Sequence, residues 1–219
     1  MKVCVVIPTY NEAGTISVLV KQICKQDLDV VVVDDGSTDN TGQFAESSGA
    51  AVLKNKVNQG KGASLIKGFD SALKNNYDAV ITMDGDGQHL PEEIPDFIRA
   101  AQNPDKGIII GNRMSQRRNM PLVRVWTNKF MSWIISKITG QKIPDSQCGF
   151  RLIKKEVLAR LHLVTSKYEI ESEILIKASR LGFKIASVPI RSIYVGERSH
   201  INPFFDTLRF IKFIRKELK

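Results

Sequence analysis

The sequence predicts an α/β fold, a mostly parallel sheet with helices on both faces, and three observations carry the prediction. Short β-branched runs (Val3–Ile7, Val30–Val33, Ala79–Met83) alternate with longer stretches of helical periodicity. Apart from Thr82 the runs are apolar, as strands covered on both faces are. Acidic or glycine-bearing turns follow them directly, as in Asp34-Asp35-Gly36 and Asp84-Gly85-Asp86. Such alternation implies right-handed crossovers and puts ligands beyond the carboxyl ends of the strands.

Element by element, Val3–Ile7 reads as a buried strand stopped by Pro8. Ile16, Leu19, Val20 and Ile23 give residues 12–25 a helical stripe. Val30–Val33 is a second strand, followed by a helix over about 39–48 and a third strand at Ala51–Leu53. Gly60-Lys61-Gly62 opens a helix whose face carries Leu65, Ile66, Phe69 and Leu73; Ala79–Met83 is the fourth strand. Ile108–Ile110 is a further strand, and residues 114–121, with Arg117, Arg118 and Pro121, read as a basic mobile loop. Residues 122–138 carry an apolar stripe through Val123, Trp126, Phe130, Ile134 and Ile138. A core helix is the commoner explanation of such a stripe, and a lipid-facing one the alternative. Helices over 155–161 and 170–181, a strand at Ile185–Ile190 and a basic amphipathic helix over 203–219 complete the chain. Without repeats or a linker, it reads as one domain over 1–219.

Composition bounds the function. With 219 residues, 42% hydrophobic and 25% charged, the chain can bury a core and is not disordered. The net charge of +9 suggests an anionic partner. Nucleic acid is not favoured, because the basic residues lack interleaved aromatics outside the last helix. Three cysteines without a CxxC pair support neither a disulfide framework nor a zinc site, and they fit a reducing compartment. Residues 1–8 lack the features of a signal peptide, and no uncharged apolar run approaches the ~18–20 residues of a spanning helix. The expectation is a cytoplasmic protein that does not cross a membrane by itself.

Chemistry concentrates at the strand ends. In Asp84-Gly85-Asp86-Gly87-Gln88-His89, two carboxylates two residues apart favour protonation unless a cation lies between them. A divalent metal, Mn²⁺ or Mg²⁺, resolves that conflict, with Gln88 or His89 as further ligands. A plain Asp/Gly turn is the alternative. In Pro8-Thr9-Tyr10-Asn11-Glu12, Tyr10 can stack on a base and Glu12 can accept from ribose hydroxyls; alternatively Asn11 caps a helix. Asp34 and Asp35 can hold a nucleoside or close a turn. Around Lys61, the ammonium and neighbouring amides can meet phosphate.

Jointly, Pro8–Glu12, Asp34–Asp39, Asn58–Ala63 and Asp84–His89 resemble family 2 glycosyltransferases of the GT-A, Rossmann-like fold. The match is to the branch that makes dolichyl- or polyprenyl-phosphate mannose or glucose. It extends to Gly111–Arg113 and Asp145–Arg151, covering about the first 155 residues. The resemblance implies a donor-binding half over about 1–113 and an acceptor-side half over about 114–219. It implies that Pro8, Thr9, Tyr10, Glu12, Asp34 and Asp35 hold the nucleoside of a GDP- or UDP-hexose. Lys61 would meet phosphate, Asp84, Asp86 and Gln88 would hold the metal and diphosphate, and Arg113 would face phosphate charge. The reaction implied is inverting transfer by one in-line displacement, with Asp86, Arg113 and Asp145 as the catalytic set. A polyprenyl phosphate acceptor is already ionised, whereas a hydroxyl acceptor needs a base, for which Asp145 is the candidate; a loop carboxylate is the alternative reading.

In the last helix Phe204, Leu208, Ile211, Ile214 and Leu218 recur at helical spacing, with Arg209, Lys212, Arg215, Lys216 and Lys219 largely elsewhere. This pattern suits either a membrane interface or docking on the chain's own domain. Many members of the branch carry C-terminal transmembrane helices. No such run appears here, so membrane contact, on the cytoplasmic face, would fall to amphipathic segments or a membrane partner. Arg198, Ser199 and His200 are candidates for an acceptor phosphate or a solvated loop. Two alternatives stand beside the lipid-phosphate reading: a soluble or envelope-glycan acceptor, and a non-catalytic nucleotide-sugar binder or membrane adaptor.

Overall fold

The computed structural model describes residues 1–115, 120–191, 193 and 203–217, with side chains in the last segment from Arg209 onward. Arg117, Arg118 and Arg198–His200, singled out above, lie outside the described residues, as do the side chains of Phe204 and Leu208 and all of Leu218 and Lys219.

The elements follow the alternation read from the sequence. They are β1 (Val3–Thr9), α1 (Ile16–Cys24), β2 (Asp29–Asp34), α2 (Thr41–Ser47), β3 (Ala51–Lys54), α3 (Lys61–Lys74), β4 (Ala79–Thr82) and α4 (Ile94–Ala101). Then come β5 (Lys106–Asn112), α5 (Leu122–Thr139), β6 (Arg151–Lys154), α6 (Lys155–Leu158), α7 (Ile170–Arg180), β7 (Lys184–Pro189) and α8 (Pro203–Glu217). The seven strands form one sheet in the order β3-β2-β1-β4-β6-β5-β7.

Strand periodicity sorts side chains to the two faces. Val3, Val5 and Ile7 of β1 join one core with α1, α2 and α4, while Cys4 and Val6 join the other with α3, α5, α7 and α8. Pro8 does not stop β1, which continues to Thr9. The Thr9 carbonyl accepts from Asp35 N–H on the β2 side, and the Val6 carbonyl accepts from Met83 N–H on the β4 side. By this alternation the missing N–H of Pro8 faces the β4 side, where the paired register ends at Val6–Thr82, so no ladder bond is lost.

Two elements were not read from the sequence, β6 and α4. β6 matters most. It runs antiparallel between β4 and β5, with Arg151 beside both Thr82 and Ile110. A strand in that direction starts where β4 and β5 finish. It therefore delivers the preceding residues, 145–150, to the carboxyl edge of the sheet.

The apolar stripe on α5 divides: Ile134 and Ile138 are partly buried against the core, whereas its first part is not the core face. Val125, Asn128, Met131, Ser132 and Ile135 are buried, while Val123, Trp126 and Phe130 are exposed. On α8 the described apolar residues Phe210, Phe213 and Ile214 are buried in the core shared with α5 and α7, and Arg180 pairs with Glu217 at 2.6 Å. That part of α8 docks on its own domain. Among the described residues no helix is long and apolar enough to cross a membrane.

Close packing of α3 on the sheet rests on Gly68, where an added methyl would overlap Val6 Cγ1 and lie 3.3 Å from Val33 Cγ2. Gly68→Ala is expected to cost about 1–3 kcal/mol by overpacking. Gly14→Ala, which meets nothing within 4 Å, is expected to stay within about 0.5 kcal/mol of wild type. Urea denaturation midpoints check both.

Candidate active site

The site is assembled where β1, β2, β4 and β5 end and where the segment before β6 arrives. The β1 and β2 loops are zipped together. Asn11, in the left-handed region at φ 58°, accepts from Thr38 N–H at 2.9 Å through Oδ1, and Ser37 Oγ accepts from its N–H at 3.0 Å. Asn11 therefore fixes the β2 turn and does not cap a helix; α1 begins later, at Ile16. Thr15 Oγ1 donates to Gly85 O at 2.6 Å, tying this unit to the β4 loop. Thr9 is buried beneath the loop, Tyr10 is exposed, and Pro8 and Glu12 are half-buried beside them.

Asp34 and Asp35 are both buried, and their carboxylates close loops. Asp34 Oδ1 accepts from Ser37 N–H at 2.8 Å. Asp35 Oδ1 accepts from Asn55 Nδ2 and Gln59 N–H at 2.8 and 3.0 Å, and Oδ2 accepts from Gly60 N–H at 2.7 Å. Both carboxylates thus close turns at the end of β2.

The start of α3 differs from expectation in a similar way. The amides of Gly62 and Ala63 donate to Ser166 O at 2.8 and 3.2 Å, so they do not point at a phosphate. A Cβ on Gly62 would lie 2.7 Å from the Ser166 carbonyl carbon, which explains the glycine by the close approach of residues 165–167. Glu173, fully buried, fixes that approach by accepting from the amides of Val164 and Thr165, both at 2.9 Å, and by pairing with Lys177.

Lys61 itself enters the site. Its Nζ lies 2.6 Å from Asp84 Oδ1 and 2.6 Å from Glu171 Oε1. Burial disfavours its charge, but the two carboxylates more than compensate and hold its pKa well above the ordinary lysine value. Burial likewise raises the Asp84 pKa on its own, yet Lys61, then His89 and Arg113, bring it down to about 2. Gly149 packs against this carboxylate so closely that a Cβ there would lie 2.6 Å from Asp84 Oδ2.

Asp86 and Gln88 are half-buried on the same loop, with Gln88 N–H donating to Asp86 Oδ1 at 2.9 Å. His89 is buried against Phe150, its Nδ1 accepting a long bond from Asp84 N–H at 3.4 Å, and burial pushes its pKa down to about 4. It is a neutral loop support.

The second charged pair is Arg113–Asp145. Arg113 follows β5 and reaches Asp145 through Nε at 2.8 Å and Nη2 at 2.9 Å, while its backbone N–H donates at 3.1 Å. Asn128 Nδ2 of α5 adds a fourth bond at 2.7 Å. Burial opposes the charge on Asp145, but Arg113 and these bonds keep its carboxyl below the usual range. Beneath both pairs sits Arg151, fully buried, which donates to the carbonyls of Ser146, Cys148 and Glu171 at 2.7, 2.7 and 2.5 Å.

The expected residues thus divide. Lys61 and Asp84 touch, Arg113 and Asp145 touch, and the two groups interact electrostatically. Asp34 and Asp35 shape loops. Asn128 was not singled out from sequence, Glu171 had no role assigned to it, and Arg151 appeared only as the end of a quoted motif. Among the described residues no three carboxylate, imidazole or thiol side chains form a metal cluster. The donor set nevertheless fits a divalent ion: Asp84, Asp86 and Gln88 offer hard oxygens, Lys61 already places a cation at Asp84, and Mg²⁺-type ions complete their shells with phosphate and water.

A sheet with charged groups gathered at its carboxyl edge is the architecture of GT-A glycosyltransferases. Over residues 4–161 the chain matches the model of glycosyl transferase family 2, and it belongs to that family. It is 32% identical to UDP-N-acetylglucosamine–dolichyl-phosphate N-acetylglucosaminyltransferase of Methanococcus voltae, over 86% of this chain and 84% of that one. It is also 32% identical to undecaprenyl-phosphate mannosyltransferase of Micrococcus luteus, over 87% and 83%. Its fold is similar to glucosyl-3-phosphoglycerate synthase from Mycobacterium tuberculosis, solved with Mn²⁺, UDP-glucose and phosphoglyceric acid. That likeness has a TM-score of 0.75 at 22% identity, covering 96% of this chain and 77% of the other.

Asp145→Asn keeps the shape of the side chain and removes the charge that Arg113 faces. It is expected to cost about 3 kcal/mol, the range for breaking a buried pair. Asp96→Asn, in the exposed Arg99–Asp96 pair, is expected to cost less than about 0.5 kcal/mol. Chemical denaturation of the two variants checks the contrast.

Proposed function

We propose that this family 2 glycosyltransferase transfers a hexose, with inversion, from a nucleoside-diphosphate sugar to a polyprenyl phosphate. The observation that carries the acceptor class is the state of Asp145. The carboxylate that sequence offers as a base is fully buried and accepts four hydrogen bonds, three of them from Arg113. A carboxylate held that way is a poor proton acceptor. A phosphate monoester, with its second pKa near 6, is ionised at neutral pH and needs no base. The relatives from M. voltae and M. luteus, named for dolichyl- and undecaprenyl-phosphate, support the same class.

In this reading the acceptor oxygen bonds to the anomeric carbon as the bond to the diphosphate oxygen breaks. Asp145 orients Arg113 towards the phosphate charge at the sheet edge. Asp84, Asp86 and Gln88 hold a divalent metal that, when bound, supplies Lewis-acid stabilisation of the leaving diphosphate. Lys61, kept against Asp84 by Glu171, adds positive charge beside it. Tyr10 and Glu12, at the open end of β1, take the nucleoside, while Pro8, Thr9, Asp34 and Asp35 shape the loops that receive it.

The test is transfer from radiolabelled GDP- and UDP-sugars to short-chain polyprenyl phosphate in detergent, with Mn²⁺ or with chelator. Labelled lipid lost on chelation is the expected result and names the donor; metal-dependent donor hydrolysis without labelled lipid would overturn the acceptor assignment. Asp86→Ala is expected to lower turnover by ~100-fold or more, since such a metal contributes several kcal/mol, with thermal unfolding unchanged; a fully active variant would sink the metal assignment.

A further inference from the structure

Ile190, Arg191 and Ile193, just after β7, take no part in the chemistry above, yet their amides reach the loop that offers Asp86 and Gln88. Ile190 N–H donates to Asn112 O, at the end of β5, at 3.2 Å, and Ile193 N–H donates to Gln88 O at 3.1 Å. Between them Arg191 N–H donates to Glu93 Oε1 at 2.8 Å. One short strap thereby holds the end of β5, the β4 loop and the 3₁₀ turn Pro91–Glu93 that leads into α4.

Glu93 is the anchor of the strap. Its side chain is buried, and Oε1 takes both the amide of Arg191 and, at 3.4 Å, its Nε. Among the described residues, Glu93 Oε2 is the one buried side-chain nitrogen or oxygen without a hydrogen-bond partner. Burying such an atom costs folding free energy that an apolar side chain would not, so the carboxylate is explained by what Oε1 holds. Packing sets the level of the strap. Ile190 is fully buried and comes so close to Gly111 that a Cβ there would lie 2.6 Å from its Cδ1.

The loop that the strap grips has little stiffness of its own. Gly87 lies in the left-handed region at φ 73°, and glycine leaves the backbone more freedom than any other residue. Gln88 is held on both sides. Its N–H donates to Asp86 Oδ1 at 2.9 Å, and its carbonyl accepts from Ile193. The peptide that orients the Asp86 carboxylate is therefore next to the one the strap pins.

We propose that Glu93 is a positioning residue: through Arg191 and Ile193 it fixes Gln88, and so pre-sets the oxygens of Asp86 and Gln88 for a divalent cation. Mg²⁺-type ions tolerate little departure from their preferred geometry. Loosening the groups that orient the ligands therefore weakens metal binding, typically by ~10–100-fold. In naming a metal the proposal rests on the reading above; the hold on the loop is measured without one.

Two measurements on the full chain test it. The first is amide hydrogen exchange, read by mass spectrometry in peptides covering 84–90 and 188–193. Glu93→Gln keeps the size of the side chain and removes its charge, and it is expected to speed exchange in both peptides about tenfold. The second is Mn²⁺ affinity, read from the electron paramagnetic resonance signal of the free ion with UDP or GDP present and corrected for ion held by nucleotide alone. Glu93→Gln should bind Mn²⁺ ~10–100-fold more weakly. Arg191→Ala alters an exposed side chain and keeps the main-chain N–H; it should weaken binding about two- to fivefold, and the test stands on it if Glu93→Gln does not fold. Gly68→Ala, destabilised away from the site, should keep the wild-type Mn²⁺ affinity, which separates positioning from loss of stability. Unchanged exchange at 84–90 in Glu93→Gln would overturn the proposal, as would Mn²⁺ affinity equal to that of a wild type that binds. A wild type that holds no Mn²⁺ would instead overturn the metal assignment, and the exchange comparison would then decide the strap by itself.

Discussion

A guanidinium with no water around it is the constraint on which the site depends. Arg151 is fully buried, and burial lowers its pKa. An isolated charge there would be costly. It is tolerated because three carbonyls, from Ser146, Cys148 and Glu171, converge on it. Those carbonyls belong to the segment before β6 and to α7, so satisfying one side chain fixes two elements. The segment it fixes contains Asp145 and Gly149, which hold Arg113 and press on Asp84. The helix it fixes carries Glu171, which holds Lys61.

Built on that base, the site balances charge before any ligand enters. Asp84, Lys61 and Glu171 form one chain of ion pairs, and Arg113 with Asp145 forms another. Asp84, Glu171 and Asp145 each have a cation within hydrogen-bond distance, which offsets the cost of their burial. This also orders the roles. Asp145 is committed to Arg113 and Glu171 to Lys61, and on the β4 loop Gln88 N–H donates to Asp86 Oδ1.

Much of this was legible in the sequence, and the limits are physical. β1, β2 and β5 announced themselves because each is built on an uninterrupted apolar run. β6 did not, since Arg151-Leu152-Ile153-Lys154 is four residues long with a charge at each end; its strand state comes from fitting between β4 and β5. The motif residues were found at the right edge, but motif type could not say which carboxylates face outward. Asp35 and Asp84 both follow strands, and only the tertiary position of Asn55, Gln59 and Gly60 turns Asp35 inward. Glu171 and Asn128 gave no signal because their partners are 110 and 17 residues away. On α5 the stripe was visible, but periodicity cannot tell a core face from an exposed one when the buried face carries Asn128 and Ser132.

The position of β6 also governs the order in which the molecule can be finished. During synthesis β4 appears at residues 79–82 and β5 at 106–112, yet the two are not neighbours in the sheet. Each keeps an unpaired edge until residues 151–154 emerge and fill the gap. The first 112 residues alone would leave apolar strands with open ladders, a form prone to self-association. A cut between residues 112 and 151 therefore leaves the β4 and β5 edges open unless β6 is carried with them.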